Sequence, residues 1–291
     1  MTLRNAVTQF CSIFLLTVFS SNCLAIPHIP KTDPVIKTWK EVKDGKTIEY
    51  KTINGIMVHE TDPTKQPQPE VVKPGSASSD AQVGSAPSDA VVLFDGTVAS
   101  LKNWADTKGG QTKWHFVNGA LESVEKAGYI QSKQAFGSCQ LHIEWASPST
   151  VIGNGQGRGN SGVFLMSTYE IQVLDSFKNV TYPDGQAGAL YGRKKPQVNA
   201  SRGPGQWQTY DIIFHRPLFD KDGKVIKKAT FTILHNGVLI QDHLVLSGGT
   251  GWRGSHSISE YRAHADKLPI QLQDHGNPVK FRNIWVRPLA D

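Results

Sequence analysis

From Ala90 to the C-terminus, apolar residues recur at every second position in short runs broken by Gly, Asn-Gly and Asp-Gly pairs, and no window of ten or more residues keeps a 3.6-residue period. Such alternation sends successive side chains to opposite faces of a strand and cannot build an amphipathic helix. The stretches CQLHIEW (139–145), SGVFLM (161–166), YEIQVL (169–174), WQTYDIIF (207–214), ATFTIL (229–234) and GVLIQDHLVL (237–246) therefore read as strands. About 200 residues of short strands and turns imply one all-β domain, a sandwich or jelly roll of two antiparallel sheets.

The segments before it differ in texture. Residues 1–25 carry Arg4, an apolar run from 10 to 19 and small residues at Cys23 and Ala25, the layout of a secretory signal cleaved after Ala25. The expectation is an exported protein, periplasmic or secreted, since the run is too short to span a bilayer. Residues 26–60 form a short segment with turn pairs at 44–45 and 54–55, which reads as a hairpin. Residues 61–89 hold five prolines, five serines and no aromatic side chain, so they read as a disordered linker, and the main domain as 90–291.

Composition excludes some functions. Cys11 and Cys23 fall in the signal, leaving Cys139 alone, so the exported domain rests on its core and not on disulfides. The formal net charge is +6, and losing Arg4 with the signal leaves +5, spread without a dense Lys/Arg stripe. Nucleic acid is therefore not the expected partner.

Strand parity collects polar side chains. In CQLHIEW, His142 and Glu144 oppose Leu141, Ile143 and Trp145; in YEIQVL, Glu170 and Gln172 oppose Ile171 and Val173. The stretch LPIQLQDHGNPVKFRNIWVRPL (268–289) reads as two strands joined at an Asp-His-Gly corner, with Gln271, Gln273 and His275 on one face. If these strands are neighbours in one sheet, Glu144, Glu170, Gln172, Gln271, Gln273 and His275 line a common polar concavity. The run GNGQGRGNSG (153–162) contains GxGxxG, but a strand follows where a nucleotide fingerprint needs a helix. It reads as a loop topping the site, with Arg158 and Asn160 as substrate contacts. No HExxH, paired CxxC, serine elbow or EF-hand loop occurs. His142 with Glu144 falls short of a metal-ligand set.

The segments LFDGTVASLKNW (93–104), WHFVNGALES (114–123), GNSGVFL (159–165), YEIQVLDS (169–176), GALYG (188–192) and QLQDHG followed by PVKFRNIWV together resemble the 3-keto-disaccharide hydrolase domain family. Its members are also described as 3-keto-glycoside lyases or 3-keto-2-hydroxy-glucal hydratases. The resemblance implies a concanavalin A-like jelly roll and an exported bacterial protein acting on oxidised sugars. It also implies that the recurrent polar positions fall on Glu144, Asn160, Ser161, Glu170, Gln172, Asp175, Gln273, Asp274 and His275. Regular alternation sets Asp175 opposite Glu170, so its membership calls for a bulge after Gln172.

A ketone at C3 acidifies the hydrogen on C2, so that chemistry needs a base, an enolate stabiliser and an acid for the leaving group. The candidates are Glu170 or His275 as base and Gln273, Asn160, Arg158 or a bound divalent cation as stabiliser. Asp175 or Glu144 would serve as acid or as ligand to that cation. Two other functions compete. One is direct glycoside hydrolysis, for which Glu170, Gln172 and Asp175 echo a Glu-x-Asp-x-x-Glu strand with its central carboxylate missing. The other is non-catalytic, lectin-like sugar binding, which needs amides and aromatics but not several acids.

Overall fold

The structure is a computed structural model and describes residues 35–43, 45–54, 56–57, 69–79, 81–252 and 260–291. The signal segment and residues 26–34 and 58–68 lie outside the described residues. Two compact units divide the chain after Glu70. In the first, β1 (Ile36–Lys43), β2 (Lys46–Ile53) and β3 (Ile56–Met57) form an antiparallel meander, one strand more than the expected hairpin. Its turns use Gly45 at φ +74° and Asn54 at φ +52°, left-handed conformations that suit those residues. Trp39 faces Tyr50 across the pair, with rings stacked at 4.9 Å.

The second unit opens with β4 (Val91–Phe94), β5 (Trp104–Asp106), β6 (His115–Val117), β7 (Ala120–Glu122), β8 (Ile130–Phe136) and β9 (Cys139–Ala146). It continues with β10 (Ser161–Leu165), β11 (Tyr169–Val173), β12 (Gln208–His215), β13 (Leu218–Phe219) and β14 (Val225–Lys227). The last four are β15 (Thr230–His235), β16 (Val238–Val245), β17 (Leu268–Leu272) and β18 (Lys280–Pro288). Five strands pair in the order β11-β10-β17-β8-β5, and eight in the order β16-β15-β12-β9-β18-β7-β6 with β4 on β18. All the strand pairs are antiparallel, and the unit is a jelly-roll-like sandwich.

The core lies where the two sheets face each other. Tyr169 of β11 packs on Phe214 of β12 and Phe231 of β15, with ring centroids 5.8 and 6.4 Å apart. Leu141, Ile143 and Trp145 of β9 are buried on the same side. Each such side chain contributes roughly 1.5–3 kcal/mol through the apolar surface it removes from water. The alternation that fills the core necessarily drives His142, Glu144, Glu170 and Gln172 outward.

The corner between the last two strands is placed here, and one expectation changes. β17 and β18 do not share a sheet: the Asp-His-Gly corner carries the chain from the five-stranded sheet to the eight-stranded one. Residues 71–79 and 81–89, read from composition as linker, belong to the second unit. Ser76 bridges Ser85, and Ser78 and Ser79 bond to Asn283 and Arg282 of β18. Proline and serine keep this strap out of the core, but its hydroxyl and carbonyl groups dock on buried polar side chains.

Candidate active site

Glu170 sits mid-strand on β11, opposite Phe164 of β10, with its side chain on the outer face of the five-stranded sheet. It is nonetheless buried, at 6% exposure, because neighbours close over it. Burial alone raises its carboxyl to about 8, since a charge leaving water without compensation disfavours the ionised form. Gln172 lies one step along the same face, and its side-chain amide lies 3.3 Å from Glu170 Oε1. That amide also lies 3.1 Å from Gln156 Oε1 and 3.2 Å from Asn160 Oδ1.

Two phenols flank the carboxyl. Tyr129 precedes β8, packs its ring 5.7 Å from that of Phe164, and receives a hydrogen bond from Gln273 Nε2 at 2.6 Å. Its hydroxyl oxygen therefore accepts from the protein, leaving its own proton to be directed elsewhere. Burial, and the nearby carboxylates of Glu170 and Asp274, raise Tyr129 despite that hydrogen bond. Tyr191 donates its backbone N–H to the Glu170 carbonyl at 3.1 Å, and its hydroxyl meets that of Tyr182 at 2.7 Å. Thr250 Oγ1 accepts the Glu170 N–H at 2.8 Å, pinning the loop that leads to the exposed Trp252.

Gln273 is held from behind. Its backbone N–H donates to the Gly162 carbonyl, and Ser161 Oγ donates to its own carbonyl at 2.6 Å. Its Oε1 is buried and meets no donor among the described residues, an acceptor suited to a substrate hydroxyl. Gly162 sits below the carboxyl: a Cβ there would lie 2.6 Å from Glu170 Oε1 and 2.9 Å from the Phe164 ring. Gly162→Ala should therefore push Glu170 off its position and lower kcat on a keto-glycoside about 10- to 100-fold, as misplacement of about 1 Å costs elsewhere. Steady-state rates indistinguishable from wild type would show that the carboxyl does not need this notch.

The remaining candidates separate. Asp175 lies beyond the end of β11, whose register with β10 is regular, so no bulge returns it to the Glu170 face. It pairs with Arg158, Nε to Oδ2 at 2.7 Å, and both line a cavity of about 370 Å³ with Gly159, Asn277 and Lys280. Asn160 links the two places, donating Nδ2 to the Gln156 carbonyl and its backbone N–H to Asn277 Oδ1. His275 is exposed at the corner after β17. Strand parity fails there because Asp274 caps the turn, accepting the N–H groups of Gly276 and Gly128 at 2.9 and 3.0 Å. Gln271 is occupied with Gln131 across the strand pair, at 3.1 Å.

Glu144 is on the wrong sheet to join Glu170. β9 pairs with β12 and β18, so the core separates the two carboxyls. Glu144 receives Arg282 Nε at 2.7 Å and Asn283 Nδ2 at 2.8 Å, while His142 lies between it and Asp211, at 3.6 and 2.6 Å. Although burial opposes both charges, these partners hold Glu144 down at about 2 and lift His142 to about 9. A bulge between Arg282 and Trp285, with Asn283 at φ +46°, turns Arg282, Asn283 and Trp285 outward together. Plain alternation cannot show that.

Tyr129 and Tyr191 are absent from the residues singled out by sequence. Tyr129 shares the parity of Gln131, whose partner Gln271 had been placed on the polar face, and that signal was readable. Tyr191 reaches the site through a loop, and its signal was its place in the GALYG motif at 188–192. Among the described residues no three His, Cys, Asp or Glu side chains converge as a metal site, and no helix is long and apolar enough to cross a membrane.

Residues 89–287 match the family described as the 3-keto-alpha-glucoside-1,2-lyase-like domain. A crystal structure from Parabacteroides distasonis, described as a "putative glycosyl hydrolase", is 44% identical, with 77% of this chain and 93% of that chain covered and a TM-score of 0.72. A second structure from that organism, similarly described, is 19% identical, with 69% of this chain and 94% of that chain covered and a TM-score of 0.49. No curated protein matches.

Proposed function

The chain belongs to the 3-keto-alpha-glucoside-1,2-lyase-like domain family, and from that premise we propose that it is an exported enzyme that cleaves 3-keto-glycosides at the Glu170 face. The observation that carries this reading is the buried carboxyl of Glu170, raised to about 8 and ringed by phenols and amides. A group poised near the working pH can both take and return a proton, which simple sugar binding does not require.

In this reading Glu170 removes the proton from C2 of the keto sugar, and the electron pair moves onto the C3 oxygen. The Tyr129 hydroxyl and the amides of Gln172 and Asn160 receive that developing charge. The enolate then collapses, the C1–O bond breaks, and the leaving oxygen takes back from Glu170 the proton removed from C2, giving the alcohol and a C1=C2 unsaturated keto sugar. Water adds across that bond in a second step. Gln273 orients Tyr129 and accepts a substrate hydroxyl at Oε1. Direct hydrolysis by paired carboxylates is less favoured, because Asp175 is engaged by Arg158 and lies off the Glu170 face.

Incubation with 3-keto-trehalose and with trehalose tests the reading. Turnover of the keto sugar alone is expected, with kcat/KM rising with pH through a limb near 8 as the base ionises. Cleavage of trehalose at a comparable rate would replace elimination by hydrolysis, and binding of either sugar without product would leave a lectin.

A further inference from the structure

The outer face of the eight-stranded sheet, across the core from Glu170, carries a cavity of about 720 Å³. Its floor is β9, β12 and β18, with Thr209, Asp211, Trp285 and the His142–Glu144 pair. Arg202 and Trp207 stand on one side, and the strap around Ser76, Ser78 and Ser85 forms the wall. The strap precedes the family match, which begins at residue 89. The volume is within the range of small-molecule sites, roughly 300–1,000 Å³.

The lining selects by chemistry. Among the described residues of the lining, the aliphatic side chains are those of Ala77 and Pro87, so an acyl chain finds little to pack on. The charges are mostly spent on one another. Glu144 is taken by Arg282 and Asn283, and Asp211 binds His142. Arg282 also donates to the Ser79 carbonyl at 2.9 Å and lies 4.0 Å from the centre of the Trp207 ring. Arg202 donates to the Trp207 carbonyl at 2.9 Å. An ion would have to break these pairs, whereas a neutral ligand that both donates and accepts can use their remaining lone pairs and N–H groups. The indole of Trp207, with the Arg282 guanidinium over one face, and that of Trp285, stacked on the His142 ring at 5.0 Å, add flat apolar surface.

We propose that this cavity is a second, non-catalytic site for a neutral glycan of one or two sugar rings. It would hold a saccharide on the face opposite the reacting one, keeping the enzyme on a glycan-rich surface while Glu170 works on another sugar. Nothing in this assignment depends on the keto chemistry, so either can fail alone.

Calorimetric titration of the full chain with maltose, cellobiose and trehalose tests it. At least one should bind saturably, and that binding should persist in Glu170→Gln. Thr209→Trp, which fills the cavity from its floor, and Arg202→Ala, at its exposed side, should each weaken binding at least tenfold. Both positions are partly or fully exposed, and thermal melts identify a variant that fails to fold, leaving the other as the test. No saturable binding by the wild type, or binding that Thr209→Trp and Arg202→Ala leave intact, would overturn the assignment and reduce the cluster to an anchor for the strap.

Discussion

Replacing Glu170 by Gln is expected to lower kcat on a 3-keto-glycoside by a factor of about 10²–10⁴, the range supplied by a positioned base. The amide is nearly isosteric, so burial and packing on Phe164 and Gly162 remain. The pH dependence of folding supplies a second readout that needs no substrate. The carboxyl is raised to about 8 in the folded chain from 4.5. Its contribution to stability is therefore fully present below 4.5 and is lost as pH rises through 8, because the unfolded chain ionises first. Wild-type stability should fall relative to Glu170→Gln across that window by several kcal/mol, then run parallel above it. Denaturant melts at pH 5, 7 and 9 measure the gap. A constant gap would mean that Glu170 ionises normally and that the proposed base is not poised; an unchanged kcat would remove Glu170 from the reaction altogether.

Removal of Arg282 should be the most destabilising single change on the other sheet. Arg282→Ala leaves Glu144, 1% exposed, without its guanidinium partner, and releases the strap at Ser79. Breaking one side of a buried pair costs about 3–5 kcal/mol, or a fall in Tm of ~10 °C for a domain of this size. Turnover per folded molecule should be unchanged, since the core stands between this cluster and Glu170. Glu144→Gln should likewise spare turnover, and the double change to Gln and Met should recover much of the lost stability. Loss of kcat in folded Glu144→Gln would return this carboxyl to the reaction. The charge cluster also sets the acid limit. Glu144, held down at about 2, contributes stability that is present above 4.5 and lost as pH falls through 2.

The division of the polar residues shows how far local pattern reaches. Parity correctly sent Glu170, Gln172 and Glu144 away from the core, because a side chain's face depends only on its position within its own strand. It could not say that β9 and β11 belong to different sheets. That is settled by pairing between residues far apart in sequence, Glu144 with Arg282 and Thr209, Glu170 with Phe164. Hence one expected concavity became two faces.

Parity also failed wherever the strand stopped. At Asp175 and His275 the backbone has left β11 and β17, and the loop and turn, not alternation, aim the side chain. The bulge at Asn283 broke parity inside β18 and made Arg282, Asn283 and Trp285 together part of a cavity lining. The strap misled in another way. Its composition denied it a core of its own, yet it is ordered by hydrogen bonds to buried polar groups of β18 that are roughly 200 residues away in the chain.

By itself, then, the sequence determined the all-β class, the strands, their apolar faces and the family motifs, all of which depend on period-2 alternation and short local signals. Tertiary structure alone decided which carboxyl is raised and which is lowered. Glu144 and Glu170 occupy the same kind of outward strand position. Arg282, His142 and Asn283 surround one and keep it ionised, while burial among phenols and amides keeps a proton on the other. Ionisation depends on which groups long-range pairing brings within a few ångströms, and no local pattern in the chain carries that information.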